Sequence, residues 1–306
     1  MNTIRSSILM ITLAALAVAD DAQSLVARGS AAYDAKDYAA AATHYLAAIE
    51  KGAAGATTPY NLACCFALTD RPDDAFRYLN LAIERGWRDA DHIESDADFN
   101  SLHADPRWKE SVASCHAATE RYFKSLPQPE LARELLRRQA LDQKYRRLLA
   151  EAFARLKPGE TSLKHEDAPE AAAMGNVDAE NTEFMKGVIA KHGWPGKSLV
   201  GVEAAGAAWL LVQHADHDPE FQTKALEHIK TAFKTGDATG QQLAYLTDRV
   251  LLKQGKKQLY GTQFVGMGPD TKPAPIEDEA NVDQRRKEVG LPPLADYART
   301  LRSQAP

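Results

Sequence analysis

Residues 24–52, SLVARGSAAYDAKDYAAAATHYLAAIEKG, and residues 58–86, TPYNLACCFALTDRPDDAFRYLNLAIERG, align with a period of 34. Gly29 falls on Ala63, Tyr33 on Ala67, Ala41 on Ala75, Tyr45 on Leu79 and Ala48 on Ala82. Small residues at matched positions let antiparallel helices approach closely, while larger ones fill the groove between successive hairpins. Asp37 and the run Arg71-Pro72-Asp73-Asp74 stand where each hairpin must turn. The pattern predicts four helices between about residues 24 and 86 and sets the fold class as all-α.

This spacing and residue pattern resembles the tetratricopeptide repeat, a helix-turn-helix unit that stacks into a short helical solenoid. Two such units leave an open end that something must cover. Gly86 stops the second unit, and Ser95-Asp96-Ala97-Asp98-Phe99 and Asp105-Pro106-Arg107-Trp108 each carry a helix-start signal. The segment looks like the capping element that closes such repeats in bacterial proteins, with Phe99, Leu102 and Trp108 packed on the last hairpin. Repeats plus cap span 22–125. The resemblance implies a protein or peptide partner for the repeat region, or else a docking surface for the rest of the chain.

Upstream, Arg5 precedes an apolar run from Ile8 to Ala19 that is broken only by Thr12, and Ala17-Val18-Ala19 is a small-x-small cleavage pattern. Residues 1–19 read as a signal peptide, which predicts a periplasmic or secreted protein with no membrane attachment after cleavage. The formal charge of −5 is spread in both signs, and no basic stripe with interleaved aromatics exists, so a nucleic-acid partner is not expected. Cys64, Cys65 and Cys115 form no Cys-x-x-Cys pair, and small buried thiols are the expected reading.

Downstream, Leu126-Pro127-Gln128-Pro129 breaks the helix, and 126–130 reads as a linker to a helical domain over 131–303. A long helix is expected from about Glu130 to Leu156. Its Arg133, Arg137, Arg138, Arg146 and Arg147, set against Glu130, Glu134 and Glu151, read as a solvated face. Lys157 to Gly175 reads as loop. Helices follow near 177–192, 200–215, 219–234 and 239–253, then an extended piece Gln258–Phe264, a Gly/Pro-rich stretch from Gly266, and helical pieces at Val282–Val289 and Leu294–Leu301.

Within these elements lies a polar constellation: Gln213-His214-Ala215-Asp216, Gln222, Tyr245-Leu246-Thr247-Asp248-Arg249, Gln258-Leu259-Tyr260-Gly261-Thr262-Gln263 and Arg285-Arg286. On the helix near 239–253, Leu243, Leu246 and Val250 form one apolar stripe and Leu251 and Leu252 lie opposite, with Asp248 between them. Asp248 is therefore expected to be a buried carboxylate with a cationic partner, His214 or an arginine from 285–286. His214 ends its helix, where the helix dipole favours an imidazolium.

These words, with Pro275-Ile276, Asp283-Gln284-Arg285-Arg286 and Gly290-Leu291, resemble one bacterial domain family of unknown function over roughly residues 135–300. The resemblance implies a site and no reaction.

Three readings of the constellation follow. A metal could use His214, Asp216 and His217, with His192 and His228 nearby, but no His-Glu-x-x-His signature exists, and neither metal nor cofactor is expected. Metal-independent acid–base catalysis, of a hydrolase or lyase, would use His214 with Asp248 or Asp216 fixing its tautomer. In that reading Arg249, Arg285 or Arg286 binds a small anionic ligand, and Gln213, Gln222, Tyr245, Gln258, Tyr260, Thr262 and Gln263 line the pocket. The third is a structural network tying residues 258–292 onto the helices. Together these predict an exported repeat protein that binds a partner or ligand through a polar C-terminal pocket, with the His214 enzyme as the alternative.

Overall fold

The computed structural model describes residues 21–155, 169–266 and 271–303. The predicted signal peptide lies outside the described residues. The chain forms two compact units divided between Tyr122 and Phe123. The fold is all-α, apart from turns and one two-stranded ribbon.

The first unit opens with α1 (Ala22–Asp34), α2 (Tyr38–Glu50), α3 (Thr57–Leu68) and α4 (Pro72–Glu84), each packed on the next. Local chemistry sets their starts. Asp21 accepts from the Ser24 N–H and Asp37 from the Ala40 N–H, while Pro72 opens α4 where its missing N–H costs nothing. Ala41, Ala48, Ala75, Ala82 and Leu79 are wholly buried, as the period requires. Gly29 has no room for a side chain, because a Cβ there would stand 2.6 Å from the Tyr45 ring.

Next come α5 (Ala90–Ser95), a 3-10 turn over Ala97–Leu102 and α6 (Pro106–Lys124). Phe99, Leu102 and Trp108 join the same core. Tyr60 stacks on Trp87 at 3.7 Å and donates to Asp96 at 2.7 Å, and Tyr33 donates to Asp98. Cys64, Cys65 and Cys115 are buried free thiols.

The second unit contains α7 (Pro129–Ala154), α8 (Pro169–His192), α9 (Lys197–Val200), α10 (Val202–Gln213), α11 (Pro219–Lys234) and α12 (Gly240–Lys253). Helices α7, α8 and α10 pack on one another. Contacts run the same way along α7 and α10: the Gln128 N–H bonds the Leu199 carbonyl near their starts, and Asp142 meets His214 further on.

The tail carries β1 (Phe264–Val265) paired antiparallel with β2 (Lys272–Pro273), then α13 (Val282–Glu288) and α14 (Leu294–Ser303). One expectation needs correction. The stretch 169–175 is the first part of α8 rather than loop, because Ala171-Ala172-Ala173 favours helix and Gly175 is tolerated there. Within the extended piece over Gln258–Phe264, Gln258 makes a single bridge to Ile276, its backbone bonds Pro275 and Glu277, and Gln263 accepts from the Ala274 N–H; ladder pairing begins only at Phe264–Val265.

Candidate functional site

Asp248 is fully buried, as expected, but its partner is not a cation. Its Oδ1 accepts from the N–H groups of Leu259 (2.7 Å) and Tyr260 (3.0 Å), and its Oδ2 from the N–H (2.9 Å) and hydroxyl (2.9 Å) of Thr262. A buried carboxylate is stable when its lone pairs are filled by fixed donors, and backbone amides serve as well as an ammonium or guanidinium. Gly261 makes the turn possible: its φ of +66° is unfavourable for other residues, and a Cβ would meet Leu294 at 2.9 Å. The pairing of Asp248 with His214 or Arg285–Arg286 is thus replaced by a ring of donors from the loop.

The neighbouring predicted residues are likewise occupied in holding the tail. Gln258 donates to the carbonyls of Gln263 and Ala274 and accepts from the Gln263 N–H; the Gln263 amide donates to Thr262. Arg285 donates to the carbonyls of Leu259, Glu277 and Asp278. Arg286, 1% exposed, donates to those of Pro292 and Tyr260, and burial lowers its pKa. Tyr245 donates to the Tyr297 hydroxyl. The Tyr260 N–H is taken by Asp248. Arg249 pairs with Asp216 at 2.6 Å, and the His214 Nδ1 meets Asp142 rather than Asp216. Burial pushes the Asp216 carboxyl up, but Arg249 and Lys253 outweigh it and hold it low. Gln222 donates to the Val212 and Gln213 carbonyls, closing the end of α10.

His214 stands apart from this network. Its Nδ1 lies 2.8 Å from Asp142 Oδ1, on α7, and its Nε2 has no hydrogen-bond partner among the described residues. Asp142 is fully buried. Gln143 donates to its Oδ2 at 2.7 Å, and Arg146 Nε lies 3.3 Å from each oxygen. Arg146 then bridges to Asp178 on α8, Nη2 to Oδ1 at 2.6 Å, while Nη1 faces the Met174 sulfur. Burial raises the Asp142 carboxyl, but His214, Arg146 and Gln143 outweigh it and hold it below the ordinary carboxylate value. Asp178 goes the other way: burial lifts it, and the neighbouring Asp142 charge adds to that. Two buried amides nearby in sequence, Gln213 Nε2 and Asn181 Nδ2, have no partner among the described residues. Buried unpaired donors of this kind mark places where water or a ligand group belongs.

Asp142, Asp178 and His214 each offer a ligand atom within 4.8 Å of the others. The Arg146 guanidinium already lies on both carboxylates and supplies the positive charge a metal ion would bring. Asp216 is not near this group as a ligand, being held by Arg249 and Lys253. A second such group, Cys64, Asp96 and Asp98, belongs to the first unit, where Tyr60 and Tyr33 donate to its carboxylates.

The expected solvated face of α7 is therefore overturned at its centre. The sequence held one signal for Asp142: Ala132 and Leu135, both buried, begin a helical stripe that reaches Asp142 two turns after Leu135. The surrounding arginines and glutamates obscure it.

Residues 129–305 match a family described as Family of unknown function (DUF6624). No curated protein and no solved structure matches the chain.

Proposed function

The chain belongs to the DUF6624 family of unknown function, and from that premise we propose that its C-terminal domain is a metal-independent acid–base site built on His214, carried by an exported repeat protein. The observation that carries the reading is directional. Nδ1 is committed to a fully buried carboxylate at 2.8 Å, and Nε2 is left without a partner among the described residues. An ionised Asp142 selects the Nδ1–H tautomer and turns the Nε2 lone pair outward. Nε2 then accepts a proton from water or from an acidic C–H, Asp142 stabilises the imidazolium, and the same proton returns to the leaving group. Arg146 and Gln143 keep Asp142 ionised through this cycle. The step needs no covalent nucleophile and suits a hydrolase or lyase.

The first unit's helix pairs and covering segment support a tetratricopeptide-like array that engages a protein or peptide partner. A groove of about 620 Å³ beside α4 and α6 offers Arg88, Arg107 and Arg121 together with Asn80 and Ser111. Residues 1–19 support export to the periplasm or medium.

The test compares wild type, His214→Gln and Asp142→Asn on chromogenic carboxyl, phosphate and glycoside esters, alongside urea unfolding. The expected result is turnover of one class in the wild type, reduced about 10²–10⁴-fold in His214→Gln at an unchanged unfolding midpoint. A purely structural network would give the opposite: no class turned over, and His214→Gln unfolding as readily as Asp248→Ala.

A further inference from the structure

Gly206 sits in the middle of α10, in a run otherwise made of alanines and large apolar residues. Glycine is among the poorest residues for a helix interior. No close packing demands it here, because a Cβ at Gly206 would meet nothing within 4 Å. The missing side chain opens instead onto a cavity of about 330 Å³ in the second unit, at the lower end of the range for small-molecule sites. The same helix supplies the apolar wall, Ala205, Trp209 and Leu210, and Val202 at its edge is 69% exposed. Trp209 cannot swing freely: its indole N–H donates to the Gln242 carbonyl at 3.0 Å, so the cavity has a fixed aromatic side.

The polar lining carries one carboxylate and one ammonium. Asp237 is already engaged, accepting from the N–H and hydroxyl of Ser198 at 2.7 and 2.9 Å. The Lys197 ammonium has no ion-pair partner among the described residues, and Gln139 and Gln241 add neutral amide groups. Because α7 and α10 run the same way, Gln139 and Leu210 place this cavity about one helical turn ahead of Asp142 and His214.

We propose that this cavity binds a small arylcarboxylate-like ligand, its flat apolar body over Gly206 against Trp209 and its anionic group at Lys197. That this ligand is also the substrate rests on the acid–base reading of His214; the binding itself does not.

The probe is 1-naphthaleneacetate, with its neutral amide as control, titrated into the full chain and followed by calorimetry and tryptophan fluorescence. Saturable binding of the carboxylate is expected, with the amide binding at least several-fold more weakly. Gly206→Leu, whose side chain enters open space, should weaken the carboxylate at least 10-fold. Lys197→Gln should bring carboxylate and amide to similar affinity. Val202→Glu, at an exposed position that folding tolerates, should weaken the carboxylate selectively and serves if Gly206→Leu fails to fold. No saturable binding by wild type, or binding indifferent to these substitutions, overturns the proposal. Binding retained in His214→Gln, with turnover absent from every form, would refute the acid–base reading and leave the cavity assigned. Turnover without probe binding would do the reverse.

Discussion

Replacing Asp248 by alanine removes one acceptor group from four donors at once: the N–H groups of Leu259, Tyr260 and Thr262 and the Thr262 hydroxyl. The two Thr262 donors are buried, and each stranded buried donor costs about 1–3 kcal/mol. Leu259 and Tyr260 are only half-buried, so water can recover part of their loss. The expected destabilisation of the second unit is thus about 3–5 kcal/mol, concentrated where residues 258–263 meet α12. Asp248→Asn should fall between: its one oxygen keeps the Leu259 and Tyr260 donors, while its NH2 faces the Thr262 N–H. Urea unfolding of the full chain measures the total, and hydrogen exchange at Leu259, Tyr260 and Thr262 measures the place. Those three amides should lose protection first in the variants. An Asp248→Ala protein within about 1 kcal/mol of wild type, with these amides still protected, would refute the reasoning.

Asp248 and His214 share no partner, so their alanine variants should add within about 0.5 kcal/mol; a larger coupling would contradict their separation. Asp142 is held below the ordinary value of about 4, so its stabilisation is present above that value and lost as pH falls through its folded pKa. Asp178 is raised, so its contribution is present below the ordinary value and lost as pH rises through its folded pKa. Urea midpoints across the acid range should show Asp142→Asn flattening the acid limb and Asp178→Asn removing the fall above about pH 4; unchanged profiles would count against both assignments. Gly29→Ala forces a Cβ against Tyr45, a ring 1% exposed whose hydroxyl meets Ser30 and Asn61. It should cost about 1–3 kcal/mol in the first unit, read as a lower melting midpoint, and an unchanged midpoint would show that the contact relaxes freely.

Much of the helical frame could be read from residue spacing. The 34-residue period located α1 to α4 through the alanines at their contacts, and Pro72, Pro129 and Pro219 marked helix starts. The burial of Asp248 was legible too, since apolar residues flank it on both sides of α12. Its partners were not, because they are backbone N–H groups of a loop, and a backbone donor has no letter of its own in the sequence. The reverse happened at Asp142. Its stripe with Ala132 and Leu135 is visible, but Glu134 and Arg138, which pair with each other, and Arg146, which reaches Asp142, make the helix look solvated. His214 was singled out from the sequence, and the carboxylates proposed for it were chosen from those near it in sequence. The one that holds it lies 72 residues away, where only the packing of α7 against α10 brings it.

The pairing of His214 with Asp142 is the centre of the functional account, and nitrogen-15 NMR of the histidine side chains reads it directly. In the wild type, the neutral His214 ring should carry its proton on Nδ1 with Nε2 bare, and Asp142→Asn should abolish that single-tautomer preference without unfolding the domain. A His214 ring protonated on Nε2 with Nδ1 bare, or a tautomer unaffected by Asp142→Asn, would contradict the dyad and with it the acid–base reading.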